Sequence, residues 1–298
     1  MGPVLSRLIK EARPHQWVKN LIIFAALIFS LNFTNGELVL RAFLGFVAFC
    51  LLSGGVYIFN DMVDLETDRL HPQKSKRPLA LGELSVGQAS AGSAVFIAAG
   101  MILSLLLGSS FAVVSALYLI LGLLYSLYLR RMIIVDALVI SVGFVLRAIA
   151  GVEVLRERVA TIDLSPWLLV CTLFLALFMS FGKRRHEIAL LNERADDHRS
   201  TLGEYSLSFL DGLIYALMSA TVIAYSIYTI SPATVEKFHS RNMVLTIPFV
   251  VYGIFRYAFL VTQKQKGGNP SELLLQDMPL VVTVLLWVVS VLLVLGIS

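Results

Sequence analysis

Asn60-Asp61-Met62-Val63-Asp64-Leu65-Glu66-Thr67-Asp68 closes an apolar run that begins near residue 38. Four carboxylates at the end of a hydrocarbon stretch are costly unless a cation or a partner neutralises them. The run before them is long enough to cross a bilayer, at about 20 residues per span. Their spacing places them on one helical surface. Asn60, Asp64 and Asp68 follow an i, i+4, i+8 row, and Asp61 lies three residues before Asp64. Oxygen donors on one face suit Mg²⁺, which is held by carboxylates together with substrate phosphates. The stretch therefore predicts two things at once, a membrane-spanning helix and a metal–diphosphate site at its end.

The rest of the chain agrees with the first prediction. Of 298 residues, 57% are hydrophobic and only 15% charged, and the mean hydropathy is +0.81. A soluble domain carries far more charge. Apolar runs of span length fall near 20–34, 38–60, 87–107, 110–129, 133–151, 165–182, 208–230, 243–262 and 278–297. None shows the alternation of a barrel strand, so the expected fold is an all-α polytopic membrane protein of about nine transmembrane helices. One domain is expected over 1–298. No cleavable leader is read at the N-terminus, which is polar and basic.

Charge orients the bundle. Most of the 24 Lys and Arg fall on the N-terminus and alternate loops, while the opposite side carries only Arg41, Arg156, Arg158, Lys237 and Arg241. Positive-inside bias places the N-terminus and the two long polar loops, 61–86 and 183–207, in the cytosol. The expected location is a plasma membrane of bacterial or archaeal type.

The first polar loop continues as Arg69, His71, Pro72, Lys74, Lys76, Arg77 and Pro78. Carboxylates that hold a cation, followed by Lys and Arg that hold phosphate oxygens, form an arrangement able to bind a metal–diphosphate. Cys50 and Cys171 lie in apolar runs and read as small hydrophobes. The five His are dispersed, with no zinc spacing. Walker, dinucleotide and Ser/His/Asp hydrolase signatures are absent, and no nucleic-acid partner is expected.

Asn-Asp-x-x-Asp-x-x-x-Asp after the second span, with Lys74 to Pro78 following it, resembles the first signature of the UbiA superfamily of intramembrane prenyltransferases. Arg13-Pro14-His15-Gln16-Trp17-Val18-Lys19-Asn20, Lys76-Arg77-Pro78-Leu79-Ala80 and Gly143-Phe144-Val145-Leu146-Arg147-Ala148-Ile149-Ala150-Gly151 are similar to the branch containing decaprenyl-phosphate phosphoribosyltransferase. The resemblance implies a UbiA-like bundle around a central cavity. It implies Mg²⁺ as cofactor and transfer of 5-phosphoribosyl from phosphoribosyl pyrophosphate to a polyprenyl phosphate. It also leaves a homo-oligomer open.

One departure favours that branch. The wider superfamily carries a second Asp-rich motif after the sixth span. Here the loop reads Phe181-Gly182-Lys183-Arg184-Arg185-His186-Glu187, with Asp196-Asp197 later and out of register. A cationic row in place of a second acidic row suits a second anionic substrate. The candidate catalytic residues are Asp61, Asp64 and Asp68, with Asn60 added as a metal ligand. The candidate substrate-binding residues are Lys19, Lys74, Lys76, Arg77, Tyr125, Arg130, Asp136, Arg147, Lys183, Arg184, Glu187 and Tyr205. The alternatives are a prenyltransferase acting on an aromatic or isoprenoid acceptor and, from another class, a secondary transporter; an acidic row at a span end fits the transporter poorly.

Overall fold

A computed structural model describes residues 2–71, 73–163, 165–191, 204–268 and 270–297. Every regular element among them is helical. Among the described residues, seven helices are long and apolar enough to cross a membrane, and Met278–Val294 is a shorter apolar helix. The chain is a multi-pass membrane protein. Its large exposed side chains agree: Val95, Ile102, Leu105, Leu106, Ile223 and Leu293 point outward from the spans. In water such a surface would be an aggregation liability; in lipid it is the solvent-facing side.

The helices fall into two compact units, 1–163 and 164–298. The first contains α1 (Pro3–Glu11), a 3₁₀ stretch at Pro14–Phe24, α2 (Ala25–Phe29), α3 (Gly36–Val63), α4 (Leu65–Leu70), α5 (Val86–Leu107), α6 (Ser109–Leu127) and α7 (Val135–Arg156). Local signals set their ends. Asn35 caps α3, its Oδ1 accepting from the N–H groups of Glu37 and Leu38 at 3.0 and 3.3 Å. Ser85 and Gln88 form a reciprocal capping box at the start of α5. Gly108, at φ +143°, makes the turn from α5 to α6 in a backbone region that favours glycine.

Helix α3 is the axis of this unit and packs against α5, α6 and α7. Small residues allow the close approach. A Cβ on Gly55 would lie 2.6 Å from Ile97 of α5. Without a hydrophobic force between helices in lipid, such close van der Waals packing supplies the association energy.

The first apolar run, expected as a span over 20–34, takes another form. It is a tight 3₁₀ stretch followed by the single turn-and-a-half of α2. Polar anchors explain why. Arg13 enters it with left-handed backbone, Trp17 Nε1 donates to Ala12 O, and Asn20 is buried and bonded to other helices.

The second unit contains α8 (Pro166–Leu191), α9 (Leu207–Ile230), α10 (Pro232–Phe238), a 3₁₀ stretch at Asn242–Thr246, α11 (Ile247–Thr262), α12 (Pro270–Gln276) and α13 (Met278–Ile297). Helix α11 packs on α8, α9 and α13. A polar knot pins three of its elements: Tyr225 Oη lies 2.7 Å from Thr246 Oγ1 and accepts from Trp287 Nε1 at 2.8 Å.

Candidate functional site

The acidic stretch ends α3 and starts α4, with Asp64 at the break between them. The helical hydrogen bonds still run through it: Asp64 N–H donates to Asn60 O and Asp68 N–H to Asp64 O, at 3.0 and 2.8 Å. Helical spacing then sorts the side chains. Asp61 and Asp68 are seven apart, two turns on one face. Asn60 and Asp64 are four apart, and Asn60 Nδ2 donates to Asp64 Oδ2 at 3.1 Å. The single row expected from the sequence is thus two groups, with Asp68 joined to Asp61 rather than to Asp64.

Cations hold each group. Arg77 Nη1 donates to Asp61 Oδ1 at 2.9 Å and also to Asp68 Oδ2, so one guanidinium spans both carboxylates. Arg13 Nη2 donates to the same oxygen of Asp61, and its guanidinium lies 5.0 Å from the Tyr57 ring centre. Lys74 Nζ is 3.4 Å from Asp68 Oδ1. Arg130, from the 3₁₀ turn Leu129–Arg131 at the end of α6, pairs with Asp64. Asp61 and Asp68 are each only 2% exposed, so these are low-dielectric pairs whose loss would strand a buried charge.

The loop that carries Arg77 is fixed from beneath. Leu79 and Leu84 are buried with Ala12, Ile58 and Ala89, and Leu8, Trp17 and Met62 pack against them. Pro78 O accepts from Glu83 N–H at 2.9 Å, closing the turn. This apolar plug aims Arg77 at the acidic groups. It also gives Leu79, after the Arg-Pro pair, its place in the core.

Two participants escaped the sequence reading. Arg13 enters the sequence reading only within the family-like stretch Arg13 to Asn20, without a role at the acidic row, and Glu11 is not singled out. Glu11 ends α1 and is buried beside Asp61. Burial, then the charge of Asp61, push its carboxyl up to about 7. The available signal was that Glu11 and Arg13 interrupt an otherwise amphipathic helix–turn with charges on its apolar side.

The other candidates divide. Lys76 is exposed, and Tyr125 is half-buried in the last turn of α6. Asp136 is buried at the first turn of α7, its Oδ1 accepting from Ala137 N–H at 2.7 Å. Arg147 is buried in α7 and braces the 3₁₀ stretch through Asn20. Burial, then the charges of Arg147 and Arg13, push the neighbouring Lys19 ammonium down to about 8.

In the second unit Lys183 pairs with Glu187 at 3.6 Å, one turn along α8. Arg184 is 1% exposed and donates to Ser180 O at 3.1 Å. Arg185 pairs with Asp211 and donates to Val261 O, tying α8 to α9 and α11. Tyr205 is buried between Phe181 and Phe209. Asp196 and Asp197 lie outside the described residues.

The donor chemistry at 60–68 fits a hard cation. Every candidate ligand atom is oxygen; Asp61 Oδ2 is buried without a hydrogen-bond donor, and Asp68 Oδ1 has only the Lys74 ammonium at 3.4 Å. Among the described residues, no group of three His, Cys, Asp or Glu is gathered tightly enough to hold a metal.

The UbiA prenyltransferase family profile matches residues 21–276, which run through both units. The chain belongs to the UbiA prenyltransferase family. UbiA membership makes it a membrane transferase. It is 31% identical over 296 residues to decaprenyl-phosphate phosphoribosyltransferase of Mycolicibacterium smegmatis, covering 96% of this chain and 91% of that one. It is 34% identical over 290 residues to the protein of the same name from Corynebacterium glutamicum, covering 94% and 84%. The solved UbiA homologue of Archaeoglobus fulgidus, bound to GPP and Mg²⁺, superposes with a TM-score of 0.74 over 97% of this chain and 99% of that one. At 18% identity that likeness establishes the UbiA fold.

Proposed function

We propose that this UbiA protein moves a 5-phosphoribosyl group from phosphoribosyl pyrophosphate to a polyprenyl phosphate and releases diphosphate. The observation that carries the reading is the interleaved lattice of Asp61, Asp64 and Asp68 with Arg13, Lys74, Arg77 and Arg130 at one span end. A lattice with both signs of charge can exchange its internal ion pairs for a metal–diphosphate at little electrostatic cost. The carboxylates turn to the cation and the guanidinium groups turn to phosphate oxygens. Likeness to the two phosphoribosyltransferases supports the choice of donor and acceptor. So does the replacement of a second acidic row by Lys183, Arg184 and Arg185.

Asn60, Asp61, Asp64 and Asp68 would hold Mg²⁺, which when bound supplies charge for the departing diphosphate. The protein's own part is electrostatic. Arg77, Arg130, Arg13 and Lys74 stabilise the diphosphate oxygens as the bond from the anomeric carbon breaks and charge builds on them. The nucleophile is a phosphate oxygen of the lipid. It is already ionised, so no general base is required, and a new C–O–P bond replaces the lost one. Lys76 and Tyr125 are proposed to contact substrate phosphate. Asp136, whose carboxylate accepts from Ala137 N–H at the start of α7, is proposed to help bind substrate there. In the second unit Lys183, Arg184, Glu187 and Tyr205 are proposed to contact an anionic substrate group. Both units are proposed to serve as one functional domain, because the family match runs through both. The basic loops are assigned to the cytosolic face of the cell membrane by the positive-inside rule.

The test is a transfer assay on detergent-purified protein with Mg²⁺, radiolabelled phosphoribosyl pyrophosphate and a polyprenyl phosphate. Label should enter the lipid fraction. Product formed only from a prenyl diphosphate and an aromatic acid would overturn the reading.

A further inference from the structure

Gly54, Tyr57 and Asp61 share one face of α3, at i, i+3 and i+7. The end of α1 rests on that face. A Cβ on Gly54 would lie 3.1 Å from Ala12 Cβ, and Ala12 is wholly buried. Arg13 follows with φ +54° and ψ +65°. A non-glycine residue pays for that left-handed backbone, and it persists only where the surroundings hold it. Here Trp17 Nε1 donates to Ala12 O at 3.2 Å, and Gln16 N–H donates to Arg13 O at 2.8 Å. From this bend the Arg13 guanidinium lies over the Tyr57 ring, 5.0 Å from its centre, and donates to Asp61 Oδ1. Tyr57 and Asp61, one turn apart, thus hold the same cation.

Arg13 and Arg77 differ in what they hold. Arg77 has two carboxylates, whereas the one ion pair of Arg13 among the described residues is with Asp61. A metal ion that takes Asp61 removes that pair. The Tyr57 ring is the contact that Arg13 keeps. Plain packing would fill the place of Tyr57 as well with leucine or methionine, but neither presents a π face to a cation. The contact also strengthens with occupancy. A guanidinium–ring contact is weak where water reaches it and stronger once desolvated. The Arg13 side chain is 20% exposed, and a diphosphate lying over it would exclude that water.

We propose that Tyr57 is a positioning residue, its ring holding the Arg13 guanidinium in place while the N–H groups pass from Asp61 to diphosphate oxygens. This rests on the reading above only for the presence of a metal–diphosphate at the acidic lattice. Diphosphate is the leaving group of phosphoribosyl and of prenyl transfer alike, so the role of Tyr57 does not depend on which group is moved.

Calorimetric titration of the purified full-length protein with inorganic diphosphate at saturating Mg²⁺ tests this. Tyr57→Leu should raise Kd about fivefold, the gain of a ring contact on desolvation. Tyr57→Phe keeps the ring and should stay within about twofold of wild type. Arg13→Gln should raise Kd about tenfold or more. Adding Tyr57→Leu to Arg13→Gln should then change little, because the ring acts through Arg13. A merely structural tyrosine would give additive losses instead. Tyr57→Met fills the space without a π face and replaces Tyr57→Leu if that variant does not fold. An unchanged Kd in Tyr57→Leu, full additivity with Arg13→Gln, or no diphosphate binding by wild type overturns the proposal. A loss in Tyr57→Phe equal to that in Tyr57→Leu overturns it too, since the hydroxyl would then be the acting group. Failure of phosphoribosyl transfer with the Tyr57–Arg13 coupling intact would instead discard the donor and acceptor named above and leave the role of Tyr57 standing.

Discussion

Single ion pairs set the character of the site. Arg77 spans two buried carboxylates, so Arg77→Met leaves Asp61 to Arg13 alone and Asp68 to Lys74 alone. Partial exposure of the guanidinium moderates the cost to about 2 kcal/mol. A lowered thermal midpoint should show it, and Asp68→Asn added to Arg77→Met should recover part of the loss, as coupled partners do. Asp64→Ala removes the carboxylate shared by Asn60 and Arg130. Turnover in the transfer assay should fall about a hundredfold or more; full turnover would remove Asp64 from the site. Lys19 gives a pH signature. Its ammonium is lowered from 10.5 to about 8 by burial and by Arg147 and Arg13, so it loses its charge as pH rises through 8. If it binds phosphate, kcat/KM should fall above that pH, and Lys19→Arg should abolish that limb. The linkage sign is opposite for stability: between 8 and 10.5 the unfolded chain binds the extra proton, so free-protein stability rises across that window. Asn60 and Asp64, one turn apart, were legible as neighbours in the sequence; the pairings across elements were not. Arg13 and Asp61 are 48 positions apart, and Asn20 and Arg147 are 127 apart. Residue type announced that charges needed partners; only packing chose which.

Elements carry those residues to their places. The 3₁₀ stretch Pro14–Phe24 lies against α7 so tightly that a Cβ on Gly151 would come 2.4 Å from Ile23 O. A backbone atom cannot rotate aside as a side chain can. Gly151→Ala should therefore shift the whole stretch, destabilise the protein by about 1–3 kcal/mol and weaken substrate binding through Lys19, which a KM measurement would register. The long helices were readable because span length and apolar continuity are local properties of the chain. The form of residues 14–29 was not. Its hydropathy is that of a span, but Asn20 needs partners on α3 and α7, and meeting them outweighs a regular helix. The acidic stretch shows the same limit. Its spacing placed the carboxylates on one surface of one helix, whereas in the structure they divide into two groups, one held by Arg77 and the other by Arg130.

At the scale of the molecule, topology is open to direct test. A reporter fused in the loop at Lys76 should read as cytosolic, since the basic loops alternate with poorly charged ones. A periplasmic readout would invert the orientation and remove the site from the compartment of its soluble donor. The sequence by itself determined that the chain is helical, crosses a membrane several times, and keeps carboxylates and cations at one span end. Those follow from hydropathy, from charge bias and from residues close along the chain. The tertiary structure decided that the carboxylates are held in a lattice of guanidinium groups, that Glu11 and Arg13 join them, and that Arg147 is buried among neutral acceptors, with no carboxylate partner among the described residues. Electrostatic partners in a low-dielectric interior are chosen by distance in space, and only the folded helices bring residues so far apart in the chain within that distance.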